Sequence, residues 1–412
     1  MTTFIKPFKA LHPSAATAGD VIAPPYDVMD TEEARALAEH HPHSFLHISR
    51  PEIDFAPGTD PHSETVYARA AENLKNLCDS GVLLRDTRPC FYVYRMTTDS
   101  HQQTGVALSA SVEAYEHNRV RKHELTKPDK ETDRARNIAT LNAQTGPTLC
   151  AFRASDTVSS LLRKHAETSP LFEVEGPSAV VHSVWRVEQA DAVAELTSAL
   201  NALDVLYIAD GHHRSAAAAR VARARRGGAE NPQPDSSYEY FLCVAFPHDE
   251  LEILDYNRVV SDLNGLTAAE FLESIEQSFN VESCSVASKP NEPATYTMYV
   301  EHQWYRLTLE AEIPDDPVRG LDISLLQKHL IEPVLGIYDP RTDPRIDFVG
   351  GVRGLTELQR RVDTGQAAAA FALHPTTMEQ LMAVADAEQL MPPKSTWFEP
   401  KLADGLVSHI ID

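Results

Sequence analysis

The chain has 412 residues, with 37 lysines and arginines against 60 aspartates and glutamates, so its net charge is −23. This balance excludes a broad nucleic-acid-binding surface, which needs a large basic field, but it allows a local basic cluster for a small phosphorylated ligand. The chain has no apolar signal core, no run of about 18 apolar residues and no CxxC spacing among its five cysteines, which predicts a cytoplasmic protein without a membrane span or a cysteine metal site.

The amino-terminal part predicts a rigid loop that carries a carboxylate. A short strand runs into Pro24-Pro25, and two consecutive prolines stiffen the backbone around Tyr26 and Asp27. Asp27 either caps the helix that begins near Thr31 or serves as a catalytic carboxylate, and the sequence leaves both open. Residues 45–50 then predict a strand.

Regular elements follow in quick succession. Residues 63–80 predict an amphipathic helix, because their apolar residues recur at helical spacing. Residues 90–96 and 104–112 are rich in β-branched and aromatic residues and predict two antiparallel strands. These strands lead into the charged segment described next.

Residues 118–134 mix basic and acidic side chains with a histidine and have few apolar residues to bury. A solvated, salt-bridged segment would have the same composition. However, Pro128 interrupts a helix here, and a loop with lysines and carboxylates can close over a charged substrate. Its candidate site residues are His123, Glu124, Lys127, Lys130 and Arg134.

Residues 204–228 predict a strand, a tight turn and a helix. Residues 204–209 are apolar and β-branched, Gly211 permits the turn, and an alanine-rich run predicts a helix that stops at Gly227-Gly228. The amides that open a helix bind anions. An aspartate beside two histidines and an arginine suits a divalent metal or a hydroxyl proton better than a bare phosphate. The polar residues of this turn are Asp210, Gly211, His212, His213, Arg214 and Ser215.

The rest of the chain predicts further α/β structure. Residues 231–237 predict a loop, and residues 240–246 and 251–256 predict a hairpin. Helices and strands alternate from residue 267 onward, which is typical of mixed sheets covered by helices. The tail predicts a closing strap, with Lys394 and Lys401 as candidates to reach a site.

We therefore predict an α/β (α+β) fold of two domains. The first covers residues 1–260 and contains the phosphate-binding region. The second covers residues 261–412 and consists of a C-terminal α/β subdomain and the closing tail.

Four motifs resemble one known family, the domain-of-unknown-function 1015 family, whose name assigns no reaction. They are Pro24-Pro25-Tyr26-Asp27-Val28, His123-Glu124-x-Thr126-x-Pro128-x-Lys130-x-x-Asp133-Arg134, Ala209-Asp210-Gly211-His212-His213-Arg214 and Met391-Pro392-Pro393-Lys394-Ser395-Thr396. The Asp-Gly-His-His-Arg turn is similar to that of free-serine kinases of the ParB/sulfiredoxin-like superfamily, where it opens a helix that receives phosphate. This resemblance implies a ParB/sulfiredoxin-like phosphate-binding core with an additional α/β subdomain.

The resemblance also implies a reaction: a phosphotransferase that acts on the hydroxyl of a small metabolite, with free L-serine as the first acceptor. The donor would be ATP, ADP or pyrophosphate, and Asp210 would bind Mg²⁺ or orient the hydroxyl. Glu124 or Asp27 would be the base. The predicted catalytic residues are Asp210, Glu124, Asp27 and His123, and the predicted phosphate- or substrate-binding residues are Gly211, His212, His213, Arg214, Ser215, Lys127, Lys130, Arg134 and Tyr26.

Two other functions stay open. A nucleotide-binding regulatory module would keep the same turn and bind without turnover. A metal-dependent phosphoester hydrolase would instead use imidazole and carboxylate ligands. Its ligands would come from His123, Glu124, Asp210, His212 and His213.

Overall fold

The computed structural model of the protein describes residues 3–176, 179–228, 233 and 235–411. The chain forms two compact units. The first unit comprises Met1–Leu251 together with Pro400–Asp412, and the second comprises Glu252–Glu399. The end of the chain therefore returns to the first unit. Residues 231, 232 and 234 of the loop predicted over residues 231–237 lie outside the described residues.

The strands are short and distributed along the whole chain. In order they are β1 (Ile5–Lys6), β2 (Ala10–Pro13), β3 (Leu83–Arg85), β4 (Phe91–Thr97), β5 (Gln102–Ser111), β6 (Val120–Arg121), β7 (Ala143–Gln144), β8 (Thr148–Phe152), β9 (Phe172–Glu175), β10 (Val181–Val187), β11 (Leu206–Asp210), β12 (Tyr240–Pro247), β13 (Glu252–Leu254), β14 (Tyr256–Val260), β15 (Phe279–Cys284), β16 (Thr295–Val300), β17 (Gln303–Leu309), β18 (Ile346–Gly350), β19 (Ala369–Leu373), β20 (Trp397–Glu399) and β21 (Ser408–Ile410).

The helices alternate with these strands. They are α1 (Ala18–Val21), α2 (Thr31–Ala38), α3 (Leu46–Ser49), α4 (Glu64–Asp79), α5 (Val112–Glu116), α6 (Pro128–Leu141), α7 (Asp156–Ala166), α8 (Ala190–Asn201), α9 (His212–Gly228), α10 (Ala268–Ile275), α11 (Asp322–Leu326), α12 (Gly354–Asp363) and α13 (Met378–Asp386). A π-helical turn, Gln327–Ile331, continues α11. None of the described helices is long and apolar enough to cross a bilayer.

A nine-stranded mixed sheet organises the first unit, in the order β6-β11-β8-β12-β5-β4-β10-β9 with β1 paired to β5. β12 lies between β5 and β8, and every one of its residues is buried. The alanine-rich face of α9 joins the same core as strand residues such as Ile208 and Phe241. Small side chains on that face let the helix backbone approach the sheet closely.

A second sheet of the first unit depends on the returning tail. β21 lies between β2 and β7, and β3 pairs on the outer side of β2. Upstream of β21, Asp404 and Ala23 exchange two backbone hydrogen bonds, of 2.9 and 3.2 Å. The tail is thereby fixed beside the loop that contains Tyr26.

The second unit has its own sheets. Six strands pair in the order β15-β17-β16-β19-β14-β18, and β13 pairs with β20. A core around Val259, Tyr299 and Leu358 lies between strands and α12. Mixed sheets covered by helices occur in both units, so the predicted fold class is confirmed.

Two local predictions were wrong. The segment predicted as a strand over residues 45–50 contains helix α3, whose single turn buries Leu46 and Ile48. The predicted hairpin also does not form, because β5 and β8 occupy both edges of β12, and β13 pairs with β20 instead.

Candidate active site

The strand, turn and helix predicted around Asp210 are present as β11, Gly211 and α9. Gly211 has φ +97°, and its carbonyl accepts hydrogen bonds from the amides of Arg214 and Ser215, at 2.9 and 3.1 Å. A Cβ at Gly211 would lie 3.2 Å from the Cα of Thr148. Glycine is therefore required here both by the backbone angle and by the neighbouring strand. The amides of Gly211, His212 and His213 are left to open the helix.

The charged segment supplies a second helix N-terminus at the same place. The sequence prediction treated Pro128 as a helix breaker, but Pro128 is the first residue of α6. Proline is favoured at that position, since its missing N–H would be unpaired anyway. The amide of Lys127, just before α6, donates to Nε2 of His213 at 3.0 Å. The two helices therefore begin side by side.

Two arginines enclose Tyr26. The Arg134 guanidinium lies 4.1 Å and the Arg214 guanidinium 5.3 Å from the centre of its ring, as in cation–π contacts. Asp133 fixes Arg134 by accepting from its Nε and Nη2, at 2.9 and 2.7 Å. We call Arg134, Tyr26 and Arg214 the arginine stack. Its three residues come from distant parts of the sequence, and all were predicted as binding residues.

Asp27 belongs to this group through Arg214. One of its carboxylate oxygens lies 3.4 Å from Nη2 of Arg214, whose Nη1 donates to the carbonyl of Pro147 at 2.8 Å. The alternative role of Asp27 as a helix cap is wrong, because Asp30 caps α2 and accepts from the amides of Glu32 and Glu33. Asp27 is therefore available to the site.

Asp404 is a site residue that the sequence analysis missed. It is 2% exposed, and its Oδ1 has no hydrogen-bond partner among the described residues. Nε of Arg214 is also buried and has no hydrogen-bond partner among the described residues. A Cβ on Gly146 would lie 3.2 Å from Oδ1 of Asp404 and 3.4 Å from Nε of Arg214, so both atoms face one gap. That gap belongs to a cavity of about 30 Å³, also lined by Tyr26 and Arg134.

Burial raises the pKa of Asp404 from its ordinary value of 3.8 to about 7, although Arg214 partly offsets the effect. The folded state therefore holds a proton that the unfolded chain releases, and wild-type stability should fall as pH rises from about 4 to about 7. The variant Asp404→Asn has no carboxyl group at this position, so its stability should not fall over this pH range for that reason. At pH 8 we expect it to be more stable than wild type by roughly 2–4 kcal/mol, and at pH 4 nearly equal. Urea unfolding at both pH values measures this. A stability difference that does not change with pH would contradict it.

Asp210 is paired with a lysine of the tail. Nζ of Lys401 lies 3.0 Å from Oδ2 of Asp210, and Lys401 and Arg214 hold the pKa of Asp210 well below its usual range despite burial. Lys401 was a candidate to reach a site, and it contacts this one. A Mg²⁺ ion at Asp210, as predicted, would have to displace or share this ammonium group.

His123, Glu124 and His212 form what we call the histidine cluster. The two imidazole rings are perpendicular with centres 4.4 Å apart, and one ligand atom from each of the three residues lies within 4.8 Å of the others. Burial lowers the pKa of His123 to about 4 and that of His212 well below its usual value, so both are neutral at pH 7. Nδ1 of His123 has no partner in the described part of the chain. Two neutral imidazoles and a carboxylate fit a transition metal such as zinc better than magnesium.

The remaining predicted site residues differ in whether their side chains are free to contact a ligand. Ser215 is fully buried, and its hydroxyl donates to the carbonyl of His212 at 3.0 Å, so its side chain is occupied within α9. Lys130 is exposed in the first turn of α6. Burial lowers the pKa of His213, and the charges of Lys127 and Lys130 lower it further. Asp27 opposes the lysines by raising this pKa, so charges of both signs surround His213.

Several solved structures are similar to this chain at low identity. A free serine kinase in complex with AMP is 13% identical, with 75% of this chain and 91% of that chain covered and a TM-score of 0.36. SbnI with a C-terminal truncation from Staphylococcus aureus is 10% identical, with coverages of 73% and 86% and a TM-score of 0.37. A conserved hypothetical protein from Pyrococcus furiosus is 13% identical, with coverages of 74% and 95% and a TM-score of 0.34.

A family assignment comes from the sequence itself. No curated protein matches the chain. The family described as "Protein of unknown function (DUF1015)" matches residues 5–324. That span includes the arginine stack, the histidine cluster and the turn at Gly211, and it covers well over half of the chain. The protein therefore belongs to the DUF1015 family.

Proposed function

We propose that this protein is a phosphotransferase that moves a phosphoryl group from ATP, ADP or pyrophosphate to the hydroxyl of a small metabolite, with free L-serine as the first acceptor to test. The observation that supports this most is the position of Arg214. It lies in the first turn of α9, packs on Tyr26, and leaves one buried N–H without a partner among the described residues. Phosphoryl transfer needs such fixed positive charge around the donor and a carboxylate beside the attacking hydroxyl.

The donor phosphates would lie where α6 and α9 begin. The amides of Gly211, His212 and His213 and the guanidinium of Arg214 would donate to phosphate oxygens. Arg134, Lys127 and Lys130 would neutralise charge on the transferring group. These groups come from two helices that a 3.0 Å hydrogen bond holds together at their N-termini. Positive groups would therefore surround the phosphates from two directions.

Asp27 is the better placed of the two predicted bases. It lies 3.4 Å from Arg214, whereas the carboxylate of Glu124 lies 3.9 Å from Nδ1 of His212 in the histidine cluster. In the proposed step the acceptor oxygen bonds to the terminal phosphorus, the bond from phosphorus to the donor's bridging oxygen breaks, and Asp27 takes the hydroxyl proton. A Mg²⁺ ion supplies neutralisation of the donor's phosphate charge when bound, with Asp210 as its proposed ligand.

A screen of donors against hydroxyl acceptors tests the proposal. ATP, ADP and pyrophosphate are each combined with L-serine, L-threonine, glycerol and a sugar, and phosphorylated products are detected by ³¹P NMR. We expect a product with at least one pair, and its loss in Asp210→Ala and Arg214→Ala. Arg223→Ala is the matched control, because Arg223 lies on the same helix with its side chain 60% exposed. No product with any pair, or equal activity in all variants, would contradict the proposal.

The histidine cluster favours a second candidate, a metal-dependent phosphoester hydrolase. Its ligand atoms are already grouped, and one imidazole nitrogen is buried without a partner among the described residues. Zinc or manganese retained after dialysis, with release of phosphate from p-nitrophenyl phosphate and no transfer to serine, would support this function. Loss of both metal and hydrolysis in His212→Ala would assign them to the cluster.

A further inference from the structure

The second unit contains a buried arginine that has no acidic partner among the described residues. Arg258, in the middle of β14, is 4% exposed. Its guanidinium donates to the backbone carbonyls of Tyr256, Pro393 and Lys394, the last two at 3.2 and 3.0 Å, and it lies 4.9 Å from the ring centre of Phe348. No carboxylate of the described residues comes within 4.0 Å of it. The motif around Pro393, which the proposed phosphotransferase does not use, thus serves to hold this arginine.

These contacts leave the charge of Arg258 uncompensated. A guanidinium has five N–H groups, and three carbonyls accept from three of them. Burial lowers the pKa of Arg258 to about 9, at which it is still a cation at pH 7. A buried cation is costly without an anion beside it. The remaining N–H groups therefore suit an anionic partner from outside the chain.

Arg258 forms part of the wall of a cavity of about 150 Å³ that lies within the second unit. Most of the lining is apolar, and two exposed residues of opposite charge, Lys328 and Glu332, stand at its rim. The apolar lining residues are Ile323, Leu326, Ile331, Pro340, Pro392 and Pro393. The cavity therefore combines one buried cation with an apolar interior.

The helix beside the cavity is widened. The amide of Glu332 donates to the carbonyl of Gln327 at 2.9 Å, which is the spacing of a π-helical turn. The side-chain amide of Gln327 donates to the carbonyl of Ile337 at 2.7 Å and fixes this turn. π-helical turns are uncommon and are frequently found at functional sites. Here the widened turn places Gln327, Lys328 and Ile331 on the cavity wall.

We propose that this cavity binds a small organic monocarboxylate, with its carboxylate on Arg258 and its apolar body among the isoleucine, leucine and proline side chains. A guanidinium fork matches a carboxylate, which can accept two parallel hydrogen bonds. The charges of Lys328 and Glu332 offset each other at the rim, so Arg258 leaves the cavity with one net positive charge. One positive charge suits a monoanion better than a phosphate. A cavity of this volume accommodates a body about the size of a benzene ring. The proposal is independent of the proposed phosphotransferase activity.

Titration of the full-length protein with benzoate, phenylacetate and isovalerate tests this site, with benzamide as the uncharged match for benzoate. Binding is followed by ligand-observed NMR. We expect at least one carboxylate to bind with a dissociation constant on the order of 1 mM, as is usual for so few atoms, and benzamide to bind at least tenfold more weakly. No binding by any of the three carboxylates at about 20 mM would overturn the proposal.

Three variants localise the binding. Arg258→Lys keeps a positive charge but loses the fork, so binding should weaken about tenfold. Ser324→Phe fills the cavity from α11 and leaves Arg258 in place, so binding should be lost while the protein stays folded. Arg341→Lys is the control, because Arg341 is 64% exposed and already paired with Asp339. Wild-type affinity in both cavity variants, or equal binding of benzamide and benzoate, would overturn the proposal, as would displacement of benzoate by inorganic phosphate.

Discussion

Replacing Arg214 with lysine should lower kcat/KM of the proposed phosphotransferase by about a hundredfold or more, which corresponds to about 2.7 kcal/mol of transition-state stabilisation. The guanidinium reaches three places at once: the carbonyl of Pro147 at 2.8 Å, the carboxylate of Asp27 at 3.4 Å, and the gap above Gly146 through Nε, which has no partner among the described residues. A lysine has one nitrogen and no planar face to lie on Tyr26, so it keeps the charge and loses the geometry.

The matched control is Arg223→Lys. Arg223 lies on the same helix, its side chain is 60% exposed, and it forms an ion pair of 3.7 Å with Glu116. We expect this variant to retain activity within about twofold, because exposed ion pairs contribute little. Kinetics with the donor and acceptor found in the screen give kcat and KM separately. Equal kinetics for both variants would show that Arg214 does not act on the substrate.

Gly211→Ala should destabilise the protein by about 2–3 kcal/mol and remove phosphoryl transfer. Alanine is strained at φ +97°. Its Cβ would also lie 3.2 Å from the Cα of Thr148, and moving this backbone atom would disturb β8. The turn would shift, and the amides that open α9 would shift with it. Urea unfolding measures the loss of stability, and the activity assay measures the loss of transfer.

Gly227→Ala provides a control of opposite sign on the same helix. Gly227 is near the end of α9, and a Cβ there meets no atom within 4 Å. Alanine is a better helix former than glycine, so this variant should be more stable by roughly 0.5–1 kcal/mol. If both substitutions changed stability in the same direction, the special requirement for glycine at position 211 would be refuted.

Local features of the fold and site were predictable from the sequence. The apolar strand β11, the glycine of the turn and the alanine-rich helix α9 are each encoded by neighbouring residues. Pro128 was misinterpreted because the same residue either ends a helix or begins one, and only the packing of α6 against α9 decides between them. The strand prediction for residues 45–50 was wrong for a similar reason, since a short run of apolar residues suits a strand and a helical turn equally.

The contacts between distant segments were not predictable in the same way. The arginine stack joins three motifs whose proximity follows only from the folded sheet. Asp404 carried one usable signal, a single carboxylate within the otherwise apolar run of residues 402–407, all of which are buried. An isolated acid in such a run needs a partner or a function. Its position beside Arg214, however, depends on strand pairing with Ala23.

The discontinuity of the first unit has a consequence for synthesis on the ribosome. Residues 252–399 must be translated before Lys401 and Asp404 emerge, so a nascent chain that has completed Leu251 still lacks the lysine that neutralises Asp210. It also lacks β21, and the space between β2 and β7 is unfilled. The pocket at Arg214 therefore lacks both Lys401 and Asp404 until residues 252–399 have been translated.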